Sequence, residues 1–194
     1  MHKLWKVLRW TIIFVALVYA AMVIYAYPHV HQERLDREVV AQIEAQKITP
    51  DDVAGAHLAP TPDPNAIDAT VQGVDANQNG IRDDVELAIF ARHPTSSAIR
   101  AAELQYAMDL QTQLTQVTDT ATWAAAEIQR ERGFGCLYDT SRGEYSRFET
   151  ETDALVINTN LRKERFDWMQ QFGTSYKLSF GPDCDVSSQQ GYGN

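Results

Sequence analysis

Residues 95–117 read TSSAIRAAELQYAMDLQTQLTQV, and apolar side chains recur along this stretch at spacings of three and four. This spacing is that of one face of an α-helix, and Thr95 or Ser96 is a suitable N-cap. The pattern extends over about five turns. The residues that it predicts to be buried are Ile99, Ala102, Tyr106, Leu110, Leu114 and Val117.

Helical patterns continue on both sides of this stretch. A helix over residues 84–92 should end before His93-Pro94, because the residue before proline is pushed out of the helical region. Asp119 or Thr120 can cap a further helix that carries Trp123 and stops at Gly133. A last helix is predicted over residues 152–172, with Leu155, Phe166, Met169 and Phe172 facing inward. No alternation typical of a sheet is present, so we predict an all-α bundle of three or four helices.

Composition limits the class of protein. The chain has 194 residues and 44% hydrophobic residues, which is enough for one folded domain with a core. Its formal net charge is -9, so it lacks the broad basic surface that a nucleic-acid backbone requires. Nucleic acid is therefore excluded as a partner.

The N-terminus carries a membrane-directing segment. Residues 1–9 contain Lys3, Lys6 and Arg9 and no acidic residue, and residues 10–27 contain no charge. As a helix, residues 10–27 are about 27 Å long, which spans a hydrocarbon core. The basic flank should stay in the cytoplasm. We predict a transmembrane signal-anchor in the inner membrane with the body in the periplasm; the alternative is a cleaved signal peptide and a secreted or periplasmic protein.

Two segments separate the membrane from the body. Residues 28–46 have Leu35, Val39 and Ile43 spaced four apart on a charged background, which predicts a juxtamembrane helix. Residues 47–65 contain four of the seven prolines and are predicted to be an extended, proline-rich linker. The folded domain is then expected to occupy residues 66–194.

The two cysteines, Cys136 and Cys184, both follow the membrane segment. A pair of cysteines in an oxidising compartment most often forms a disulfide, and the absence of Cys-x-x-Cys spacing argues against zinc. We therefore predict a disulfide bond between them.

Residues 75–86 read DANQNGIRDDVE and have the spacing of a calcium loop. Alternate oxygen-bearing residues of a tightly wound loop can point at one hard cation, Gly80 permits the turn, and a closing Glu86 can supply two oxygens. The predicted Ca²⁺ ligands are Asp75, Asn77, Asn79, the carbonyl of Ile81, Asp83 directly or through water, and Glu86.

This loop resembles an EF-hand loop, with one departure. Paired EF-hands have an apolar eighth residue that joins two loops, whereas here the apolar residue is Ile81 at the seventh position and Arg82 follows. The string Asn-Gly-Ile-x-Asp-Asp is more similar to the calcium loops of thrombospondin type 3 repeats and related bacterial envelope proteins. The competing interpretation is an Asn/Asp/Gly turn that caps the next helix without an ion.

Other candidate sites have weaker patterns. Glu149, Glu151 and Asp153 alternate, but acids at a helix start are also what the helix dipole favours. Arg162 and Arg165 can bind an anion, although a solvated helix face explains them as well. No recognised catalytic motif is present.

The pattern as a whole resembles uncharacterised exported proteins of Gram-negative bacteria. It implies a membrane-anchored periplasmic calcium-binding protein with a structural or protein-interaction role, and a possible protein partner in the cell envelope. The alternative is a periplasmic hydrolase in which calcium is structural and the acids around residues 149–153 are catalytic.

Overall fold

The computed structural model describes residues 2–177 and 181–186, and it divides into two compact units, Met1–Val39 and Val40–Asn194. The described residues are all-helical and contain no β-strand, which confirms the all-α class. The predicted number of three or four helices is too low, since seven α-helices follow the N-terminal helix in the described residues. The α-helices are α1 (His2–Ala45), α2 (Pro50–Ala54), α3 (Pro64–Ile67), α4 (Asp83–Arg92), α5 (Ser97–Gln116), α6 (Thr120–Thr140), α7 (Tyr145–Val156) and α8 (Asn160–Met169). A short 3₁₀ helix, Gln170–Phe172, follows α8.

Helix α1 contains the apolar segment. The predicted membrane and juxtamembrane helices form one continuous helix in the structure. The stretch Leu8–Ala45 includes a window apolar enough to cross a membrane, and the aromatic side chains of Trp10 and Tyr25 are exposed. Length and composition thus fit a single membrane span near the N-terminus, and an N-terminal signal sequence has the same two properties.

Helix α5 is the centre of the second unit. Every residue from Ala101 to Leu114 is buried, whereas the spacing of apolar residues predicted a single buried face. Helices α2, α4, α6, α7 and α8 all pack against α5, which explains why its polar side chains are enclosed as well. The buried amides of Gln105 and Gln111 donate to the carbonyl oxygens of Asp183 (2.7 Å) and Gln72 (2.9 Å). Such partners remove the cost of burying polar groups.

Residues 47–65 differ from the predicted linker, because they pack into the second unit. Pro50 and Pro64 each occupy the first turn of a short helix, where proline's missing N–H is not needed. Thr49 and Asp52 form a capping box at the start of α2, and Val53 belongs to the core. Pro50 and Pro64 therefore start helices here, whereas Pro60 and Pro62 lie in the irregular segment between these two helices.

Helix α6 does not stop at Gly133, contrary to the prediction, but continues to Thr140. Gly133 lies where α6 crosses α5. A Cβ atom at this position would lie 2.3 Å from Asp109 Oδ2 and 3.2 Å from the Cα of Tyr106. The missing side chain thus allows the close approach of two helices, a role that is separate from ending a helix.

Gly133→Ala is expected to lower the free energy of unfolding by about 2–3 kcal/mol, because the added methyl group has no space between α6 and α5. Urea unfolding of the full chain in detergent measures this loss. Gly181→Ala is the control and should be neutral, since a Cβ at Gly181 would meet no atom within 4 Å. Equal stability of the Gly133 variant and the wild type would contradict the close packing.

The predicted single helix over residues 152–172 is also wrong, since the structure has α7, a break at residues 157–159, and α8. The hydroxyl of Thr159 accepts a hydrogen bond from the backbone N–H of Arg162 (3.2 Å) and caps α8. Of the residues predicted to face inward, Met169 is fully buried, and Leu155 and Phe166 are partly buried against the core.

Cys136 and Cys184 form a disulfide bond, as predicted. The bond ties residues 181–186 to α6. The same segment is held by Arg132, which donates to the carbonyl of Pro182 (3.1 Å) and to Asp185 Oδ1 (2.9 Å). Lys47 forms a further ion pair with Asp185 at 3.3 Å.

Candidate metal centre

The loop of residues 75–86 follows α3, and its last four residues form the first turn of α4. Its conformation is held by its own side chains. The carboxylate of Asp75 accepts hydrogen bonds from the backbone N–H groups of Asn79 (3.2 Å) and Gly80 (2.9 Å). Gly80 has a φ of 87° and Gln78 a φ of 60°, so the chain turns through the left-handed region twice. Glycine adopts this conformation without strain, which accounts for Gly80 at the sharper turn.

Glu86 folds back from α4 onto this loop. Its two carboxylate oxygens accept one hydrogen bond each, from Asn77 Nδ2 (3.1 Å) and from Asn79 Nδ2 (2.9 Å). Three predicted ligands, separated by up to nine residues, therefore meet at one point. Glu86 contacts the two asparagines because it lies in the first turn of α4, at the end of the loop.

Asp83 and Ile81 connect the loop to the body. Asp83 is the first residue of α4; its backbone N–H donates to the carbonyl of Val74 (2.8 Å), and its Oδ1 accepts from the N–H of Ala76 (3.0 Å). The side chain of Ile81 is buried in the core, and its N–H donates to Asn79 Oδ1 (2.9 Å). The loop is thus anchored at its C-terminal half.

All six predicted ligand residues lie in this loop, but their carboxylates do not form a ready metal cluster. In the described part of the chain, no three His, Cys, Asp or Glu side chains are grouped as a metal site. The hydrogen bonds explain the separation: Asp75 and Asp83 accept from backbone N–H groups, and Glu86 accepts from two amides. Cation binding would have to exchange some of these donors.

None of the family models, curated proteins or solved structures compared with the chain matches it.

The electrostatics of the loop favour a positive charge. Glu86 is fully buried, and burial raises its pKa to about 7, although hydrogen bonds from Asn79 and Asn77 oppose the shift. The negative charges of Asp52 and Asp83 raise it further. The pKa of Asp83 is also raised, by burial first and then by Asp75 and Asp84. A cation at this point would offset both the burial cost and the repulsion.

A cavity of ≈ 650 Å³ opens beside the loop. Its walls include Asp75, Asn77 and Asn79 on the loop side and Asp52 on α2. The side chain of Gln46, just after α1, covers Gly80 closely, since a Cβ at Gly80 would lie 1.9 Å from Gln46 Nε2. The loop pattern did not identify Asp52, because its proximity depends on how α2 packs and leaves no local signal in the sequence.

Two buried arginines hold the segments around the loop. Arg82 is fully buried, pairs with Asp84 (2.7 Å), and donates to the carbonyls of Leu155 (2.9 Å) and Val156 (3.0 Å) at the end of α7. The loop is thereby joined to α7. A buried arginine can satisfy several carbonyls at once because its five donors are fixed in a planar fork.

Arg162 is the second buried arginine, and this corrects the interpretation of its position as a solvated face of α8. Its guanidinium donates to the carbonyls of Ile67 (2.6 Å), Thr70 (3.2 Å) and Val71 (3.1 Å), and it pairs with Asp68 (2.8 Å). Arg162 thus attaches α8 to the segment that leads into the loop of residues 75–86. Arg165 donates to the carbonyls of Leu114 and Val117 at the end of α5, so neither arginine is an open anion site.

The acidic side chains at residues 149–153 contact different partners and do not form one cluster in the described contacts. Glu151 pairs with Arg147 (3.2 Å) and Arg92 (3.4 Å), whereas Asp153 accepts a hydrogen bond from the hydroxyl of Tyr106 (3.0 Å). Burial raises the pKa of Glu149 and of Asp153, and the negative charge of Asp153 adds to the shift at Glu149. These contacts stabilise the packing of α7 on its neighbours.

Proposed function

We propose that this chain is a membrane-anchored calcium-binding protein whose loop at residues 75–86 holds Ca²⁺ and thereby fixes the start of its helical body. The supporting observation is that Glu86, buried and with a pKa raised to about 7, brings both carboxylate oxygens to the amides of Asn77 and Asn79. The body then serves a structural or protein-interaction role in the cell envelope.

The ligand set suits a hard cation. Asp75, Asn77, Asn79, the carbonyl of Ile81, Asp83 and Glu86 supply oxygen only, and oxygen is what Ca²⁺ prefers. The nitrogen and oxygen of an asparagine amide occupy similar positions, so a half-turn of the amides of Asn77 and Asn79 presents oxygen toward the ion. Three formal negative charges, from Asp75, Asp83 and Glu86, then face two positive charges.

Helix α1 and the disulfide support the proposed location. Lys3, Lys6 and Arg9 precede the apolar segment, which orients a signal-anchor with its body in the periplasm. A disulfide is typical of such an oxidising compartment. If the segment is cleaved, the same body becomes a soluble periplasmic or secreted protein. Weak calcium affinity suffices outside the cytosol, with a Kd on the order of 0.1–1 mM.

A periplasmic hydrolase with a structural calcium is the second candidate, and one observation favours it: Glu149 and Asp153 both have a raised pKa, as a general acid requires. The hydrogen bond from Tyr106 to Asp153 opposes it, because that carboxylate is already committed to packing. We therefore prefer the non-enzymatic role.

Glu86→Gln tests the calcium site. With Ca²⁺ at about ten times its Kd, the free energy of unfolding of the wild type should rise by roughly 1.4 kcal/mol. This increase corresponds to a rise in Tm of about 3–5 °C. The variant should show no calcium-dependent rise. Thermal unfolding of the full chain in detergent, with calcium or with chelator, measures both shifts. Glu164→Gln removes the same charge from an exposed position on α8 and should respond like the wild type.

The same variant has an opposite effect without calcium. The pKa of Glu86 is higher in the folded state than in the unfolded chain, so its ionisation reduces stability as pH rises from about 4.5 to about 7. Near pH 8 in chelator, Glu86→Gln should therefore melt at or above the wild-type Tm. A variant that keeps the calcium shift, or a wild type that shows none, would contradict the proposed site.

A further inference from the structure

A second cavity lies along α6. It has a volume of ≈ 330 Å³ and is lined by Glu131, Phe134, Gly135, Tyr138, Asp139 and Asp183, among others. None of these residues belongs to the loop of residues 75–86. The volume is at the lower end for ligand sites, which suits one side chain better than a large ligand.

One wall of this cavity is aromatic. Phe134 and Tyr138 are one helical turn apart, and both rings pack against Tyr145, with ring centroids 5.9 Å and 4.9 Å away. These contacts hold the two rings in place. Tyr138 nevertheless remains 56% exposed, so a large aromatic surface faces solvent. Aromatic faces of this kind attract cations through the ring quadrupole.

Three acidic side chains, Glu131, Asp139 and Asp183, also line the cavity. Asp139 and Asp183 show no ion pair or side-chain hydrogen bond within the described part of the chain, and Glu131 accepts from Arg130 (2.8 Å). Arg132 also lines the cavity, but its guanidinium already pairs with the buried Asp185 (2.9 Å). The positive charge of Arg132 is thus compensated, and the cavity keeps a negative balance.

Asp183 is held in position before any ligand arrives. Its neighbour Cys184 is bonded to Cys136, and its carbonyl accepts a hydrogen bond from Gln105 (2.7 Å). Its carboxylate lies directly over Gly135, where a Cβ would come within 2.7 Å of Asp183 Oδ2. The disulfide and the glycine together hold this acid against α6, where it lines the cavity, and such preorganisation favours binding.

We propose that this cavity binds an arginine or lysine side chain of a protein partner, with its charge between Asp183 and Asp139 and its stem on Tyr138 and Phe134. Carboxylates plus aromatic rings are the groups that recognise a guanidinium or an ammonium. The net charge of -9 attracts a basic partner. This inference rests on the protein-interaction part of the proposed function, and it is independent of calcium because the two sites share no residue.

The test uses the full chain in detergent and a rhodamine-labelled peptide, acetyl-Gly-Arg-Gly-Arg-Gly, followed by fluorescence polarisation. We expect binding of this peptide and none of its glutamine counterpart. Asp183→Asn and Tyr138→Ala should each weaken binding about fivefold, whereas Glu164→Gln should leave it unchanged. Thermal unfolding checks that each variant is folded.

Other outcomes would overturn the inference. Equal weakening by Glu164→Gln would show a general attraction to an acidic surface, and equal binding by all variants would place the peptide elsewhere. Spermidine that displaces the peptide at a lower concentration than an unlabelled copy of it would assign the cavity to a free polyamine. Chelator should have no effect, so a failure here and a failure of the calcium site are distinguishable.

Discussion

Removal of the Cys136–Cys184 disulfide is expected to lower the free energy of unfolding by about 4 kcal/mol, one of the two largest effects that we predict. The bond closes a loop with a sequence separation of 48, and the loss of this constraint increases the entropy of the unfolded chain. Denaturant unfolding of Cys136→Ala/Cys184→Ala measures the change. Alanine is preferred to serine because Cys136 is buried.

Reductant provides the matched control for this prediction. Dithiothreitol should destabilise the wild type as much as the double substitution does, and it should not affect the double variant. Hydrogen exchange at residues 181–186 should rise in the variant, although Arg132 and Lys47 still contact Asp185. A loss below about 1 kcal/mol would contradict the bridge as a main stabiliser of this fold.

Arg162→Leu is the second substitution with a large expected effect: it should lower the free energy of unfolding by about 3–5 kcal/mol. The substitution leaves the carbonyls of Ile67 and Thr70 and the carboxylate of Asp68 without their buried donor. Urea unfolding measures the loss. Calcium affinity should fall as well, because Arg162 fixes the segment that leads into the loop.

Two variants at neighbouring positions sharpen this prediction. Lys163→Met changes an exposed cation on the same helix and should stay within about 0.5 kcal/mol of the wild type. Arg162→Lys should not restore stability, since one ammonium group cannot reach several carbonyls in the geometry of a planar fork. A fully stable lysine variant would show that charge alone, without the fork, is sufficient.

The sequence predicted well those features that depend on local spacing. The end of α4 before His93-Pro94, the start of α5 near Ser96 and the cap of α6 at Asp119 all follow from nearby residues, and the structure has them. The cap of α8 at Thr159 and the helix starts at Pro50 and Pro64 are also local signals. The apolar spacing over residues 152–172 and the four prolines of residues 47–65 instead predict one helix and one linker.

Other features depend on residues far apart in the chain. Gly133 has the local signature of a helix end, but its role is set by Asp109 and Tyr106 on another helix. The buried amide of Gln105 is satisfied by Asp183, 78 positions away. Similarly, the sequence alone suggests that Arg162 is a surface residue, whereas the structure shows it buried against backbone carbonyls. No single-sequence pattern contains these pairings.

In the loop of residues 75–86, too, some features depend on local sequence and others on distant packing. Its alternating oxygen-bearing residues predicted a ligand set, and the structure brings Asn77, Asn79 and Glu86 into contact. The cavity beside the loop and the approach of Asp52 come from the packing of α2 and the end of α1, so only the structure reveals them. Whether the loop takes an ion depends on the balance between these hydrogen bonds and calcium coordination.

Isothermal titration of Ca²⁺ into the full chain in detergent tests that balance most directly. We predict a single site with a Kd on the order of 0.1–1 mM near pH 7.5. Affinity should fall by about 20-fold near pH 5.5, because Glu86, with a pKa of about 7, must lose its proton before it binds the ion. No binding heat at either pH, together with an unchanged Tm in calcium, would contradict the calcium site.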